Sequence, residues 1–435
     1  MKQNTTFALR GNLLDGTSPT QIHFLDNYYL VCENGQVAGI FPRLPQKYAG
    51  LQVENWEGRL IIPGLVDLHT HAPQYPFRGL GMDLELLDWL NARTFPEESR
   101  YADPAYAQRA YQLFVEDLKS SATTRACIFA TVHPEGTLLL MRLLEATGMV
   151  TRVGKVNMDR NCPEGLRELS AEASLAATRK WLEGCVGFSH TRPILTPRFI
   201  PSCSDPLLEG LSALQRETGL PVQSHLSENP SEVEWVRQLC PDAIGYGDAY
   251  LRRGLLGGLG CPTIMAHCVY SDAAERRLLR EQGVWVAHCP QSNTNLTSGI
   301  APARAFLEEG VPMGLGSDLA GGHTLSILRA IADTVQVSKL RWRLQDSAYR
   351  PLTFPEAFWL ATAGGGSFFG RVGRLQPGYA FDVVVLDDSA YPHPQQLNSL
   401  ERLERLCYLC SDDRQVVVRK FVEGNPVAGS PPASL

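Results

Sequence analysis

The 435-residue sequence lacks the features that mark membrane-spanning and nucleic-acid-binding proteins. It has no uncharged apolar stretch of 18 residues, so no segment is predicted to cross a bilayer. It also has no long basic run, and its 40 Lys and Arg residues against 46 Asp and Glu residues give a net charge of −6. These absences argue against nucleic acid and anionic membrane surfaces as partners.

Two further absences concern the start of the chain and its cysteines. Polar residues interrupt residues 1–16, where a secretory signal would need a continuous apolar stretch, so a cytoplasmic location is expected. The 11 cysteines are an odd number without framework spacing, which favours reduced, buried thiols over disulfides. The one Cys-x-x-Cys, Cys407 to Cys410, has no second pair and is expected to be structural.

The sequence does contain enough apolar material for a large core. Hydrophobic residues make up 44% of the chain and charged residues 20%, which indicates a globular protein rather than a disordered one. A length of 435 residues exceeds one ordinary domain but suits an α/β barrel with an additional domain.

Both ends of the chain are rich in short β patterns. Strand-like runs occur at residues 7–13, 28–32 and 36–41, and Asn34 with Gly35 predicts a tight hairpin turn. Similar runs occur near the other end, at 382–386 and 415–422. We therefore predict one composite β-sandwich domain, built from residues 1–60 and 370–423. Residues 424–435, rich in Pro, Ser, Ala and Gly, are predicted to form a flexible tail.

Between these ends, eight short apolar strands alternate with longer amphipathic segments. The strands are predicted at residues 60–68, 122–132, 150–158, 186–196, 221–225, 262–267, 284–288 and 311–316. Eight βα units predict an α/β fold with a closed (β/α)8 barrel of the TIM type over residues 61–369. An open, doubly wound sheet is the alternative, but no GxGxxG or Walker A loop follows any of the strands.

Histidines mark the ends of several of these strands. His69 and His71 occupy alternate positions of the first strand and therefore point to the same face. His225 ends the fifth strand, His267 ends the sixth, and Asp318 follows the eighth. A His-x-His pair alone also suits hydrogen-bonded polar residues. Four imidazoles and a carboxylate at one barrel mouth would be costly to desolvate unless they bind something, so we predict a metal site.

Four motifs resemble those of the amidohydrolase superfamily, in its aminohydrolase branch. They are PGLVDLHTHA (63–72), HLSEN (225–229), AHC (266–268) and GSD (316–318). The resemblance covers nearly the whole chain. Three segments outside the shared metal motif are similar to the guanine deaminase family, namely residues 71–98, GKVNMDRN (154–161) and LTPRF (195–199). The resemblance implies a metal-dependent enzyme that converts guanine to xanthine and ammonia.

Three histidines and one aspartate form the expected metal ligand set, which is His69, His71, His225 and Asp318. Such donors suit one Zn²⁺, with Fe²⁺ also suitable, and leave a position for water. The cation lowers the pKa of that water, and Asp318 is expected to take its proton. His267 is expected to hydrogen-bond the resulting hydroxide; the alternatives are a fourth ligand or a packed histidine.

Glu228 follows the ligand His225 by three residues, where its carboxyl could reach a ring nitrogen beside the reacting carbon. We expect it to shuttle protons during deamination, the alternative being a solvated loop residue. The resemblance assigns Gln74 and Arg198 to the purine edge, with Arg198 on O6 and N7. It also assigns a contact from the Phe199 backbone. In isolation, Arg198 would suggest a surface salt bridge.

Other residues carry less specific expectations. Phe77, Leu84, Leu87 and Trp89, which follow the first strand, are expected to line or cover the pocket, or simply to pack as a helix. His133 suits the pocket rim and a structural position equally well. Binuclear relatives bridge two metals with a carboxylated lysine at the mouth of strand four. Lys155 lies within strand three, so a single metal is expected.

Two other functions compete with guanine deamination. The same metal site could serve deamination or dechlorination of another heterocycle, such as a triazine or another nucleobase. Some relatives of this superfamily have lost their metal ligands and act as scaffolds, but every expected ligand is present here. The resemblance further implies a homodimer.

Overall fold

Strands account for both ends of the chain and for its centre. The computed structural model describes residues 6–258 and 260–427. Four strands come first: β1 (Thr6–Ser18), β2 (Gln21–Glu33), β3 (Gln36–Phe41) and β4 (Val53–Pro63). The central strands are β5 (Leu65–His71), β6 (Thr123–Phe129), β7 (Val150–Gly154), β8 (Val156–Asn157), β9 (Thr191–Pro193), β10 (Thr196–Pro197), β11 (Val222–Leu226), β12 (Thr263–His267), β13 (Trp285–His288) and β14 (Met313–Leu315). The last are β15 (Val383–Leu386), β16 (Val417–Val422) and β17 (Asn425–Pro426).

The two ends of the chain share one seven-stranded sheet, in the order β17-β16-β15-β4-β1-β2-β3. The predicted pairing of N-terminal with C-terminal strands is therefore confirmed. The predicted tail, 424–435, begins with β17, which pairs antiparallel with β16. Its residues 428–435 lie outside the described residues, as do residues 1–5.

The predicted hairpin turn joins β2 to β3. Asn34 has a φ of 52° and Gly35 a φ of 79°, so both central residues are in the left-handed region. Asn and Gly tolerate this region better than other residues, which is why Asn-Gly is favoured in two-residue hairpins.

Eight of the central strands form two parallel sheets, β5-β6-β7-β9 and β11-β12-β13-β14, and β8 pairs with β10 in a third parallel sheet of two strands. Backbone hydrogen bonds from Leu195 to Pro221 and from Gln223 to Leu195, both 2.9 Å long, connect the two sheets. A 2.8 Å bond from the Asp318 amide to the His69 carbonyl connects the end of the last strand to the first. The fold is of the predicted TIM-type α/β class, with the strand ends at one mouth.

Helices follow most of the central strands, and the last helix connects β15 to β16 of the terminal sheet. They are α1 (Leu86–Trp89), α2 (Phe95–Glu98), α3 (Pro104–Ser120), α4 (Pro134–Glu145), α5 (Ala171–Gly184), α6 (Asp205–Thr218), α7 (Pro230–Leu239), α8 (Tyr246–Arg252), α9 (Ala273–Glu281), α10 (Pro290–Asn295), α11 (Ala303–Glu309), α12 (Ile327–Leu344), α13 (Phe354–Trp359) and α14 (Ser399–Leu409). A π-helical turn, Leu90–Thr94, joins α1 to α2. The helical stretch 86–98 is therefore continuous, and it covers the mouth.

Several predicted strands have different bounds in the structure. The run at 150–158 is β7 and β8, which part at Lys155. The run at 60–68 is two strands, since β4 pairs with β15 in the terminal sheet and β5 pairs with β6. They part at Gly64, where an added Cβ would lie 2.2 Å from the Thr124 hydroxyl. The run predicted from residue 186 begins as a strand only at Thr191, because Val186 lies in an exposed turn after α5.

A buried ion pair stabilises the packing of α11 on α13. Arg304 donates to both carboxylate oxygens of Glu356, at 2.8 and 2.5 Å, and the Thr353 amide donates to the same carboxylate at 2.7 Å. Burial raises the pKa of Glu356, but these hydrogen bonds outweigh burial and lower the pKa from 4.5 to about 2.

Glu356→Gln is expected to lower the free energy of unfolding at pH 7 by about 3 kcal/mol, because the amide leaves the buried Arg304 with only the exposed Glu308 carboxylate, 3.7 Å away, as a counterion. The pKa of Glu356 is lower in the folded state than in the unfolded one. Its stabilisation is therefore present above pH 4.5 and lost as the pH falls towards 2. Urea titrations of parent and variant should show a stability difference that shrinks between pH 7 and pH 3. A difference that stays constant would contradict the assignment.

No helix among the described residues is long and apolar enough to cross a membrane. The expected cytoplasmic location and the homodimer stay predictions.

Candidate active site and metal centre

The predicted histidines and aspartate meet at the mouth of the central strands. His69 and His71 end β5, His225 is in β11, and His267 ends β12. Asp318 follows β14, where its backbone amide is bonded to the His69 carbonyl. All five side chains are buried. The fold therefore brings together residues that lie up to 249 positions apart in the sequence.

The nitrogen and oxygen atoms of this cluster face one another. Nε2 of His71 lies 3.3 Å from Nε2 of His225, and Oδ1 of Asp318 lies 3.2 Å from Nε2 of His69 and 3.5 Å from Nε2 of His71. His69, His71 and His225 can each offer an atom to one ion, and so can His69, His267 and Asp318. Nε2 of His69 is buried without a hydrogen-bond partner among the described residues. Imidazole nitrogens this close to one another and to a carboxylate fit a cation.

The electrostatics of the cluster also favour a cation. Burial lowers the pKa of His69, His71 and His225, so these imidazoles are neutral at pH 7 and their lone pairs are free. Burial alone would raise the pKa of Asp318, but the charge that the His69 ring carries when protonated, followed by its hydrogen bond to Asp318, holds that pKa well below 3.8. The site therefore combines neutral imidazoles with an ionised carboxylate, which is the state in which these groups bind metals.

A second set of contacts orients the imidazoles. Nδ1 of His225 lies 2.6 Å from the Arg198 carbonyl, and Nδ1 of His267 lies 2.9 Å from Oδ1 of Asn293. A carbonyl accepts from N–H, so each Nδ1 carries the proton and each Nε2 is left unprotonated towards the site. These contacts fix both the ring orientation and the tautomer.

The Asp67 carboxylate holds the chain on both sides of the cluster. It accepts from the backbone amides of His69 and Ser317, at 3.1 and 3.0 Å, and from the Ser317 hydroxyl. Asp67 precedes the His-x-His pair and Ser317 precedes Asp318, so this buried carboxylate ties the first strand to the last.

Several residues at the mouth have unusual backbone conformations. The φ angles of Ser227, His267, Cys268 and Asp318 are 48°, 72°, 49° and 44°, in the left-handed region that non-glycine residues rarely adopt. Such conformations concentrate at functional sites, where surrounding contacts hold them. Here they turn the chain sharply at the strand ends.

Glu228 lies beside the imidazole cluster. Its side chain is buried, and its Oε2 lies 3.5 Å from Nε2 of His267. Burial, followed by the charge of Asp318, raises the pKa of Glu228 well above 4.5. The Glu228 amide donates to Oε2 of Glu232 at 2.9 Å, which fixes the loop after β11. Glu228 and Asp318 are thus two nearby carboxyl groups whose pKa values are displaced in opposite directions, that of Glu228 upwards and that of Asp318 downwards.

A pocket opens above this cluster. It is lined by His71, Gln74, Leu86, Trp89, Leu90, Arg198, Phe199, His225, Glu228, Glu232, His267, Leu296 and Asp318. The three residues predicted to recognise the base therefore border the same space as the cluster. Of the four apolar residues suggested as a lining, Trp89 alone borders the pocket. Phe77 packs against the Trp89 ring, with 5.4 Å between the ring centroids. Leu84 and Leu87 are half-buried and pack against the apolar cluster that contains Phe77 and Trp89.

One buried residue beside the pocket, which does not itself border it, is not among the residues predicted from the sequence. Glu98, at the end of α2, accepts from Nη1 of Arg198 with both carboxylate oxygens, at 3.0 and 2.8 Å. It also accepts from Nε2 of Gln74 at 3.0 Å. No motif or spacing singles out Glu98, which is 100 positions from Arg198. The surface salt bridge considered for Arg198 is thus a buried ion pair.

The remaining singled-out residues lie elsewhere. Lys155 lies between β7 and β8, where its Nζ pairs with Glu168 and donates to the Val156 carbonyl at 3.1 Å. His133 precedes α4 and is not among the residues lining the pocket. All 11 cysteines are free, and Cys407 and Cys410 are buried.

Comparisons with known proteins agree with this geometry. The model of the amidohydrolase family matches residues 60–425. The chain is 38% identical over 378 residues to a guanine deaminase of Dictyostelium discoideum, which covers 85% of this chain and 82% of that protein. It is 34% identical to the guanine deaminase of Escherichia coli, over 98% of each chain. It also resembles a crystal structure of guanine deaminase from C. acetobutylicum with guanine bound in the active site. That likeness has a TM-score of 0.93 at 41% identity and covers 97% of this chain and all of the other.

Proposed function

The chain belongs to the amidohydrolase family and, within it, to the guanine deaminases, and we propose that its pocket hydrolyses guanine to xanthine and ammonia. The observation that carries this proposal is the position of Arg198. This buried guanidinium borders the same pocket as Glu228, Asp318 and the imidazole cluster. The site therefore combines groups for hydrolysis with a planar donor for a purine carbonyl edge.

His69, His71, His225 and Asp318 would hold one metal ion, which we propose to be Zn²⁺, and Fe²⁺ suits the same donors. Bound there, the cation would lower the pKa of a coordinated water towards neutrality. Support for this set comes from the unpartnered Nε2 of His69 and from the 3.3 Å approach of the His71 and His225 nitrogens.

The two carboxyl groups divide the proton transfers between them. Asp318 is ionised and can accept a proton from the attacking water, whereas the raised pKa of Glu228 keeps its carboxyl protonated. Glu228 can therefore donate to the ring nitrogen next to C2 as the C2–O bond forms. His267 lies between the two carboxyls, 3.5 Å from Glu228 and 3.8 Å from Asp318, where its Nε2 can hydrogen-bond the water. Protons from water then pass to the amino group, and the C2–N bond breaks to release ammonia.

Arg198, Gln74 and Phe199 are the residues proposed to recognise the base. The hydrogen bonds of the Arg198 side chain within the described residues all involve Nη1, so Nε and Nη2 remain for O6 and N7 of guanine. Gln74 has one amide proton and one lone pair left after its bonds to Glu98 and to the Ala320 amide. We propose that Gln74 and the backbone of Phe199 complete the contacts to the purine edge.

Purified protein mixed with guanine is expected to release xanthine and ammonia in equal amounts. A panel of other substrates, including triazines and other nucleobases, separates this function from its catalytic rival. Faster turnover of a triazine would replace the assignment to guanine. Metal-loaded protein without turnover of any panel member would instead support a scaffold function.

Arg198→Ala is expected to lower kcat/KM for guanine by about tenfold to a hundredfold. The substitution leaves the purine carbonyl unpaired in a buried pocket, which costs about 1 to 3 kcal/mol. The value for 2-aminopurine, which has no O6, should fall much less. Arg198→Ala also leaves Glu98 without its counterion, which can lower the fraction of correctly folded enzyme. Both substrates are therefore measured on the same preparation, so that this fraction cancels from the ratio of the two kcat/KM values. Equal losses would mean that Arg198 does not contact O6.

A further inference from the structure

We propose that Glu98 is a positioning residue that sets the specificity of the pocket by holding Arg198 and Gln74 as one rigid recognition unit. This inference rests on the proposed function, since it concerns how the purine edge is read. Glu98 itself is not among the residues that border the pocket within the described chain. Its effect on the substrate is exerted through Arg198 and Gln74, whose side chains border the pocket.

The first step is the burial of the charge on Arg198. The guanidinium side chain is 4% exposed and the Glu98 side chain 2% exposed. Among residues 6–258 and 260–427, Glu98 is the one carboxylate within ion-pairing distance of Arg198. A buried cation without a counterion is strongly unfavourable, so the Glu98 carboxylate stabilises Arg198 at the pocket.

The second step is the direction of the ion pair. Both oxygens of Glu98 accept from the same nitrogen, Nη1, rather than from the Nη1 and Nη2 pair of an ordinary bidentate bridge. The Phe95 ring lies 5.5 Å from the Arg198 Cζ and restricts the plane of the guanidinium. Carboxylate and ring together hold Arg198 with its other two nitrogens directed away from Glu98, and these nitrogens are the donors proposed for O6 and N7.

The third step is the orientation of Gln74. Its Nε2 donates to Oε1 of Glu98, and its Oε1 accepts from the Ala320 amide at 3.1 Å. A carboxylate accepts but does not donate, so Glu98 determines which end of the Gln74 amide faces it. One carboxylate therefore orients both polar groups that we propose to contact the base.

The fourth step is the connection to the apolar wall. Glu98 ends the continuous helical stretch 86–98, which also carries Leu86, Trp89 and Leu90 into the pocket lining. The ion pair of Glu98 with Arg198 therefore joins the wall of the pocket to its recognition side. A purine held between them would be read in one orientation.

The test is the ratio of kcat/KM for guanine to kcat/KM for 2-aminopurine, measured on one preparation so that the active fraction cancels. Glu98→Gln keeps the shape of the side chain but removes its charge, and it is expected to lower this ratio at least tenfold. In protein that already carries Arg198→Ala, the same substitution should change the ratio less than twofold, because Arg198 is the proposed O6 donor and a change in Gln74 should affect both substrates alike. Metal content should stay at the parent value.

Glu356→Gln is the matched control, since it removes a buried carboxylate from an arginine remote from the pocket. It is expected to lower stability and to leave the ratio within twofold. If Glu98→Gln does not fold, Glu98→Asp, whose carboxylate is withdrawn by one methylene, should lower the ratio at least threefold. The inference would be overturned if an active Glu98 variant kept the parent's ratio of kcat/KM for guanine to kcat/KM for 2-aminopurine. It would also be overturned if Glu98→Gln lowered this ratio equally with and without Arg198. Neither result would contradict guanine deamination itself. A parent protein that does not deaminate guanine would instead overturn the proposed function, and this inference with it.

Discussion

Protein stripped of metal by dialysis against a chelator is expected to lose guanine hydrolysis to background while keeping its fold. The proposed ligands lie at strand ends, on β5, on β11 and after β14, whereas the packed core lies below and around them. Removing the ion therefore leaves the core contacts in place. Metal content, the circular dichroism spectrum and xanthine release, measured on the same sample, check both halves of the expectation.

Reloading and a pair of histidine variants control for indirect effects. Zn²⁺ added back to the stripped protein should restore activity. His71→Ala should purify with little metal and no activity. His323→Ala removes an exposed histidine outside the proposed ligand set and should retain both. Full activity in protein verified to be free of metal would rule out the metal-dependent mechanism.

The position of the site could be predicted because it depends on strand alternation and on strand ends. The i, i+2 spacing of His69 and His71 places both rings on one face, and parallel strands of a barrel end at one mouth. His225, His267 and Asp318 follow from the same rule, and the structure places all five side chains together. Local patterning is enough here, because each residue needs only the end of its own strand.

The recognition side could be predicted only in part, because it depends on contacts that local patterning does not determine. The resemblance pointed to Gln74 and Arg198, but Glu98 meets them across 24 and 100 positions of sequence. The direction in which Glu98 points depends on the π-helical turn Leu90–Thr94, which shifts the register of the residues after it. Before that turn, Trp89 borders the pocket while Leu87 does not.

In the fold, too, local sequence patterns predict some features, whereas others depend on contacts between distant residues. The alternation of strands and helices predicts the α/β class, and Asn34 with Gly35 predicts its hairpin correctly. The run at 60–68 appears as one strand because apolar residues continue across Gly64. The strand pairing shows that the chain passes from the terminal sheet to the central strands at this glycine, where Thr124 approaches closely.

Glu228→Gln is expected to retain metal and guanine binding but to lower kcat by at least about a hundredfold. The amide has nearly the shape of the carboxyl group but cannot give up and take back a proton at pH 7. The parent carboxyl is suited to this transfer because burial and the charge of Asp318 raise its pKa, so that it is protonated before water adds. Steady-state kinetics, with metal content and guanine affinity measured on the same protein, separate the loss of proton transfer from the loss of binding.

Glu275→Gln provides the control, since it makes the same chemical change beside the same loop without reaching the reacting atoms. Glu275 accepts from the Ser227 hydroxyl at 2.8 Å, and Ser227 directly precedes Glu228 in the chain. If the loss of kcat arose from a displaced loop, Glu275→Gln would share it. If it arises from proton transfer, Glu275→Gln stays within about threefold of the parent while Glu228→Gln does not. A kcat for Glu228→Gln within about threefold of the parent would mean that another group carries the proton to the ring nitrogen.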